Sequence, residues 1–149
     1  MKKNVIDYGE RVNKCLTTWM QVFRTFNKIS NKEVVYINEN DLTMNQFKVL
    51  EVLYHRGNLH VGAITKLTMS TPGNITVVIR NLKRDGLISS IQDPADKRAS
   101  LLSISPEGKK VIGGMFGQHS KNLTSYFDVL SDEEVDTLFV LLRKLHKAQ

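Results

Sequence analysis

The sequence predicts a mainly α-helical chain carrying one small β-hairpin. Three observations lead there. Apolar residues recur at helical spacing through most of the chain. Helix-start signals stand at Thr43, Thr71, Ser105 and Ser131. One pair of short β-prone runs, joined by a polar turn, separates the fourth helical segment from the fifth. The 149 residues are 41% hydrophobic and 24% charged, ordinary globular usage that can bury a core. The length suits one domain, or a small domain with helical extensions.

Over residues 5–29, Val12, Cys15, Leu16, Trp19, Met20, Phe23 and Phe26 follow i, i+3, i+4, i+7 spacing, which predicts a long amphipathic helix. Residues 31–40 read as a loop. Thr43-Met44-Asn45-Gln46 has the form of a capping box, in which Gln46 reaches back to the backbone of Thr43. The helix it opens carries Phe47, Val49, Leu50, Val52 and Leu53, and Gly57 stops it. Val61, Ile64 and Leu67 mark a short helix. Thr71 then offers an N-cap and Pro72 a first-turn proline whose missing N–H costs nothing. That helix runs to about Asp85, with Gly86 just past its end. Residues 87–90 and 99–103 read as strands around the loop Ile91-Gln92-Asp93-Pro94-Ala95-Asp96-Lys97-Arg98.

Ser105-Pro106 opens a helix through Val111, Ile112, Met115 and Phe116. Gly113, Gly114 and Gly117 weaken its middle by about 1 kcal/mol each against alanine. Ser131-Asp132-Glu133-Glu134 is a second capping box, followed by Val135, Leu138, Phe139, Leu141, Leu142 and Leu145 on one face. The order makes residues 41–105 a winged helix-turn-helix unit. Residues 1–40 and 106–149 form a helical region whose apolar stripes exceed what the middle unit covers. They must pack on each other or on a second copy, and a two-fold homodimer is the commonest solution.

Several function classes are excluded at this level. The longest apolar runs are short, as in Val77-Val78-Ile79, so no membrane span is expected. No apolar stretch follows Met1-Lys2-Lys3-Asn4, so no secretory signal is expected. The single Cys15 gives no disulfide framework, and a cytoplasmic location is expected. There is no nucleophile elbow, Walker loop, H-E-x-x-H or glycine-rich dinucleotide turn, so neither an enzyme nor a cofactor is expected. His55, His60, His119 and His146 lack metal-ligand spacing, and no metal site is predicted. Lys plus Arg is 21 against 15 Asp plus Glu, a net charge of 21 − 15 = +6, which points toward a polyanionic partner.

On a helical wheel, Ile75, Val78, Ile79 and Leu82 share one side of the helix that begins at Pro72. Gly73, Thr76, Val77, Arg80, Asn81 and Arg84 share the other. A basic, polar outer face beside a helix N-terminus suits the major groove of duplex DNA. In the hairpin loop, Arg98 suits a narrow minor groove, and Asp96 can hold it by a charge-assisted hydrogen bond. An ordinary solvated helix face and polar turn have the same composition; the order of turn, helix and hairpin favours DNA. A protein–protein adaptor on a winged fold is the competing reading. The clustering of Arg80, Arg84, Lys97 and Arg98 argues against it.

Residues 42–108 resemble the MarR family of winged helix-turn-helix regulators. The resemblance rests on Leu42-Thr43-Met44-Asn45-Gln46-Phe47, on Ser70-Thr71-Pro72-Gly73-Asn74-Ile75-Thr76 and on Leu82-Lys83-Arg84-Asp85-Gly86-Leu87-Ile88. It extends through Asp93-Pro94-Ala95-Asp96-Lys97-Arg98-Ala99-Ser100-Leu101 to Ser105-Pro106-Glu107-Gly108. The wording around Pro72 is most similar to the quinone- and catechol-responsive branch. The resemblance implies a homodimeric repressor of double-stranded DNA with a roughly palindromic operator, released by a small aromatic or phenolic ligand or by thiol oxidation. It places Ser70, Thr71, Asn74, Thr76, Arg80 and Lys83 in or beside the DNA-reading helix, and Asp96 and Arg98 on the wing. Arg84 and Lys97 join them from the wheel and the loop.

The resemblance also implies an effector pocket between the dimerisation helices and the winged unit. Trp19, Phe23, Tyr36, Phe47 and Tyr54 are its aromatic candidates, although such residues more often fill a core. Some family members sense peroxide through a cysteine in the first helix, which makes Cys15 a redox candidate. Its place on the apolar stripe with Val12 and Trp19 favours a small buried hydrophobe instead.

Overall fold

The structure, a computed structural model, describes residues 6–148. Val5, the predicted start of the first helix, and the basic residues before it lie outside the described residues. The elements are α1 (Glu10–Asn38), α2 (Met44–Arg56), α3 (Val61–Leu67), α4 (Pro72–Arg84), β1 (Ile88–Gln92), β2 (Ser100–Ile104), α5 (Pro106–Ser125) and α6 (Asp132–Lys147). No described helix is long and apolar enough to cross a membrane.

The predicted loop over 31–40 is a correction: α1 continues through it to Asn38. The apolar stripe does not end at Ile29. It passes through a charged residue, because Glu33 and Ile37, one helical turn apart, are both buried. The chain then reverses at Asp41, a left-handed residue at φ 60°, and Leu42 N–H donates back to the Ile37 carbonyl at 3.3 Å.

The helix starts form as local chemistry dictates. Thr43 Oγ1 accepts from Gln46 N–H at 3.3 Å, and the Gln46 side chain accepts from Thr43 N–H at 2.9 Å. Ser105 Oγ accepts from Gly108 N–H at 2.9 Å, and Ser131 forms the second capping box with Glu134. Gly57 ends α2 at φ 77°, and Gly86 leads out of α4 at φ 72°; both lie in the region that favours glycine.

β1 and β2 pair antiparallel from Ile88 with Ile104 to Gln92 with Ser100. Both strands are shifted relative to the 87–90 and 99–103 expectation, and β1 is one residue longer. Ile91 and Gln92 belong to the ladder, not the loop, because Leu101 and Ser100 lie opposite them. A bridge between Leu59 and Leu102, with hydrogen bonds of 3.1 and 2.8 Å, ties the α2–α3 connection to the hairpin. The glycines of α5 do not break it. Gly113 lies under the Tyr54 phenol, where an added Cβ would stand 3.3 Å from the hydroxyl. Gly108 is a tighter seam: a Cβ there would collide with the Leu87 carbonyl oxygen.

The core is centred on α2. Phe47, Leu50 and Leu53 pack with Ile37, Ile64, Ile75, Leu82, Leu102 and Ile112. The N-terminal half of α1 and all of α6 lie off this core, and α6 has no buried residue among those described. Trp19 is 61% and Phe23 50% exposed, so neither is a core residue of the chain. Cys15 is exposed as well, which corrects its reading as a buried hydrophobe. The cause is shared: among the described residues of one chain, little packs over the stripe from Val12 to Phe26.

Candidate nucleic-acid interface

The α4 helix has the two faces its sequence predicts. Ile75, Val78, Ile79 and Leu82 are buried, while Gly73, Asn74, Thr76, Val77, Arg80, Lys83 and Arg84 are exposed. The side chains on that outer face are not equivalent. Thr71 Oγ1 caps the helix by accepting from Asn74 N–H at 3.3 Å. Ser70 Oγ accepts from the Thr68 hydroxyl at 2.9 Å, so Ser70 and Thr71 stabilise the turn that presents the helix. Thr76 Oγ1 donates to the Pro72 carbonyl at 2.8 Å, so its hydroxyl is engaged within the helix. Lys83 Nζ donates to Ser90 Oγ at 2.6 Å and leans across to β1. Arg84 pairs with Asp85 at 2.9 Å. Arg80 has no ion-pair partner among the described residues. Val77, which the helical wheel places on this face without a contact role, is 44% exposed in its middle. An apolar side chain there can meet a thymine methyl.

Beyond β1 the wing loop is internally bonded. Asp96 Oδ1 accepts from Arg98 N–H at 3.0 Å and lies 3.5 Å from Arg98 Nε. The Arg98 side chain is 94% exposed. Gln92 Nε2 donates to the Lys97 carbonyl at 2.8 Å. Arg80, Lys83 and Arg84 thus stand on one helix, and Lys97 and Arg98 on the adjoining wing. A bipartite cationic surface of this kind can follow a phosphate backbone into neighbouring grooves.

At the base of the wing stands a pair that spacing did not reveal. His60 Nε2 lies 2.9 Å from Asp93 Oδ2, and His60 Nδ1 lies 3.2 Å from the Ser100 carbonyl oxygen. Asp93 is buried, and its Oδ1 accepts from Ala95 N–H at 2.8 Å. The Asp-Pro dipeptide signals this turn. Nothing local signals the histidine.

The aromatic candidates do not converge. Trp19 and Phe23 lie side by side on the exposed part of α1, ring centroids 6.2 Å apart. Phe47 is 2% exposed. Tyr36 donates its hydroxyl to the Met115 carbonyl at 2.8 Å, and Tyr54 packs against His55. An open cleft of about 420 Å³ lies at the α5–α6 junction between Thr124 and Val135 and contains none of the five. A second unforeseen pair lies between α1 and α5. His119 Nδ1 approaches Glu33 Oε2 to 2.6 Å, both side chains nearly buried, with Phe47 and Phe116 against the imidazole. Glu33 Oε1, Glu33 Oε2 and His119 Nδ1 are buried without a hydrogen-bond partner of good geometry among the described residues. Burial, then the Glu33 charge, raises the Tyr36 and Tyr126 phenols above the usual value.

Comparison with known proteins gives this arrangement a family. Residues 42–100 match the MarR family model. The HTH-type transcriptional regulator YkoM of Bacillus subtilis (strain 168) is 30% identical over 135 residues, covering 91% of this chain and 88% of that protein. The chain belongs to the MarR family. Among solved structures, the DNA complex of S. aureus MepR superposes with a TM-score of 0.77 at 22% identity, covering 88% of this chain and 98% of MepR. At that identity the likeness is one of fold. Bordetella bronchiseptica BpsR, described with regulation of its DNA binding by 6-hydroxynicotinic acid, gives a TM-score of 0.68 at 27% identity, covering 85% of this chain and 98% of that one. This MarR-family chain is a DNA-binding transcriptional regulator, and its relatives are regulators rather than enzymes.

Proposed function

We propose that the chain acts as a homodimeric repressor that reads a roughly palindromic operator and is released by a small aromatic or phenolic ligand. The observation that carries the DNA part is the joint placement of the α4 outer face and the wing. Asn74, Thr76 and Val77 read base edges. Arg80, Lys83 and Arg84 meet the flanking phosphates. Arg98, steadied by Asp96 and accompanied by Lys97, enters the minor groove. Ser70 and Thr71 hold the helix N-terminus toward the backbone.

The dimer part rests on the uncovered apolar rows of α1 and α6, among them Leu16, Trp19, Phe23, Leu138, Leu142 and Leu145. Residues 1–40 and 106–149 are then the dimerisation region and 41–105 the reading unit. The ligand part rests on the BpsR precedent. A ligand acts by preferring a dimer whose two α4 helices no longer match groove spacing, and the coupling is reciprocal.

The test is binding of purified protein to duplex fragments from its own upstream region, with excess nonspecific competitor, alongside sedimentation. Competitor-resistant binding of a dimer to a short two-fold site is expected. Weak binding to every fragment alike, fully removed by competitor, would replace this reading with that of an adaptor.

A further inference from the structure

We propose that His60 and Asp93 form a pH-sensitive clasp that positions the wing for DNA; the positioning role rests on the DNA-binding reading above. The argument starts from donors and acceptors. Asp93 Oδ2 faces one nitrogen of His60 at 2.9 Å, and the Ser100 carbonyl faces the other at 3.2 Å. A carbonyl can only accept, and so can an ionised carboxylate. A neutral imidazole has one N–H to give, whereas the imidazolium has two. Both contacts are hydrogen bonds only when His60 carries both protons.

The placement makes the count consequential. Asp93 directly follows β1 and Ser100 begins β2, so the ring joins both strands where the wing loop leaves the ladder. His60 itself is the N-cap residue of α3, a position that usually holds a side chain capping its own helix. Here it makes no such bond and turns to the wing instead. The adjacent Leu59–Leu102 bridge fixes the backbone beneath it. The only other side-chain tie described between the helices of the reading unit and the wing strands is Lys83 to Ser90. The His60 side chain is 51% exposed, while Asp93, at 12%, also accepts from Ala95 N–H.

The charged groups on the surrounding elements are few. The wing carries Asp96, Lys97 and Arg98 toward its tip. His55 and Arg56 end α2, Lys66 lies in the last turn of α3, and Lys83 and Arg84 close α4. Among the described residues none of these forms an ion pair with His60 or Asp93. Loss of the second proton removes one of the two ties and frees the wing base to shift against α3, carrying Arg98 with it.

Two readouts test the clasp. In the DNA-free protein, nuclear magnetic resonance follows the His60 ring and the Ala95 and Ala99 amides across roughly pH 5.5 to 8, where histidine charge changes occur. The expected result is one shared midpoint in the wild type, absent from the amides in His60→Gln and Asp93→Asn. Wing amides that ignore the His60 titration overturn the clasp, whatever the protein does with DNA.

The second readout is affinity for the upstream fragment at constant ionic strength over the same range. Wild-type binding should weaken as pH rises by on the order of tenfold, the scale of one charge-assisted hydrogen bond. His60→Gln should bind at the weakened level throughout, whereas Asp93→Asn, whose amide N–H can donate to Nε2 of the neutral ring while Oδ1 still accepts from Ala95 N–H, should not weaken as pH rises. The remaining histidines are unchanged in the variants and cancel in the comparison. Asp93→Asn keeps His60, so a retained pH dependence there would make His60 a direct phosphate contact and refute positioning. Failure of all three proteins to bind DNA at any pH refutes the DNA reading and the positioning role together, while the amide titration still decides the clasp.

Discussion

Replacing Arg98 by alanine separates DNA contact from folding more cleanly than any other change on this surface. The side chain is 94% exposed, and among the described residues its one ion-pair partner is Asp96, at 3.5 Å. Asp96 also accepts from the backbone N–H of residue 98, a bond that alanine retains. The turn should therefore survive, with stability changed by less than about 0.5 kcal/mol. DNA binding should change in a way that can be counted. Each phosphate contact contributes about 0.9 to the slope of log affinity against log salt, so losing one contact per wing lowers a dimer's slope by about 1.8. Raising salt fourfold, from ~50 to ~200 mM, is about 0.6 log units, so the salt-induced loss of affinity should shrink by roughly 12-fold against wild type. Fluorescence anisotropy on a labelled operator duplex measures both slopes. Arg98→Lys keeps the charge and should keep the slope, while losing the planar fork and some affinity. A wild-type slope in Arg98→Ala would remove the wing tip from the interface and refute the argument. A lowered slope accompanied by a lowered melting temperature would shift the cause to folding.

Three other perturbations follow from the packing. Gly108→Ala drives a methyl into the Leu87 carbonyl and to 2.9 Å from Ile104, and Leu87 is itself fixed by Ser105 N–H at 3.0 Å; overpacking of this kind costs about 2 kcal/mol, read in urea unfolding. Glu33→Ala strands His119 in a buried site and should cost about 3 kcal/mol, whereas Glu33→Leu combined with His119→Leu should cost less than the two single changes summed; additivity in the same unfolding assay would mean that the pair is not coupled. The Tyr36 and Tyr126 phenols are raised in the folded state, so their contribution is fully present below the ordinary phenol value of about 10 and is lost as pH rises through the folded values. Ultraviolet titration should show late-ionising phenols that return to the ordinary value in denaturant, and Tyr126→Phe should remove one of them.

What the sequence showed was local. Thr43, Thr71, Ser105 and Ser131 announce their helices because a cap needs only a side-chain oxygen and a backbone N–H three residues on, and all four bonds are present. The faces of α4 were legible because helical period alone decides them. The end of α1 was not, since Glu33 interrupts the apolar stripe, and the residue it meets in its buried site, His119, comes from far along the chain. His60 escaped for the same reason: a search by ligand spacing asks what lies three or four residues away, and its partners arrive from the wing. Trp19 and Phe23 were legible as a packing face, but one chain does not say what packs there.

These non-local features occupy the joints of the molecule. Glu33 and His119 lie between α1 and α5, the helices through which the proposed dimer would communicate with the reading unit. Gly108 joins α5 to the strand-entry residue Leu87 with no room for a side chain. His60 and Asp93 join α3 to the wing. A rearrangement of the proposed dimer helices would reach the body end of the hairpin through this close-packed seam, which transmits displacement instead of absorbing it. In the proposed clasp, the wing tip beyond Asp93 is joined to the body by two His60 contacts, one of which would be lost with a single proton. If both proposals hold, the two ends of the reading unit would answer to different signals: the α5 side to packing between subunits, and the wing side to the charge on one histidine.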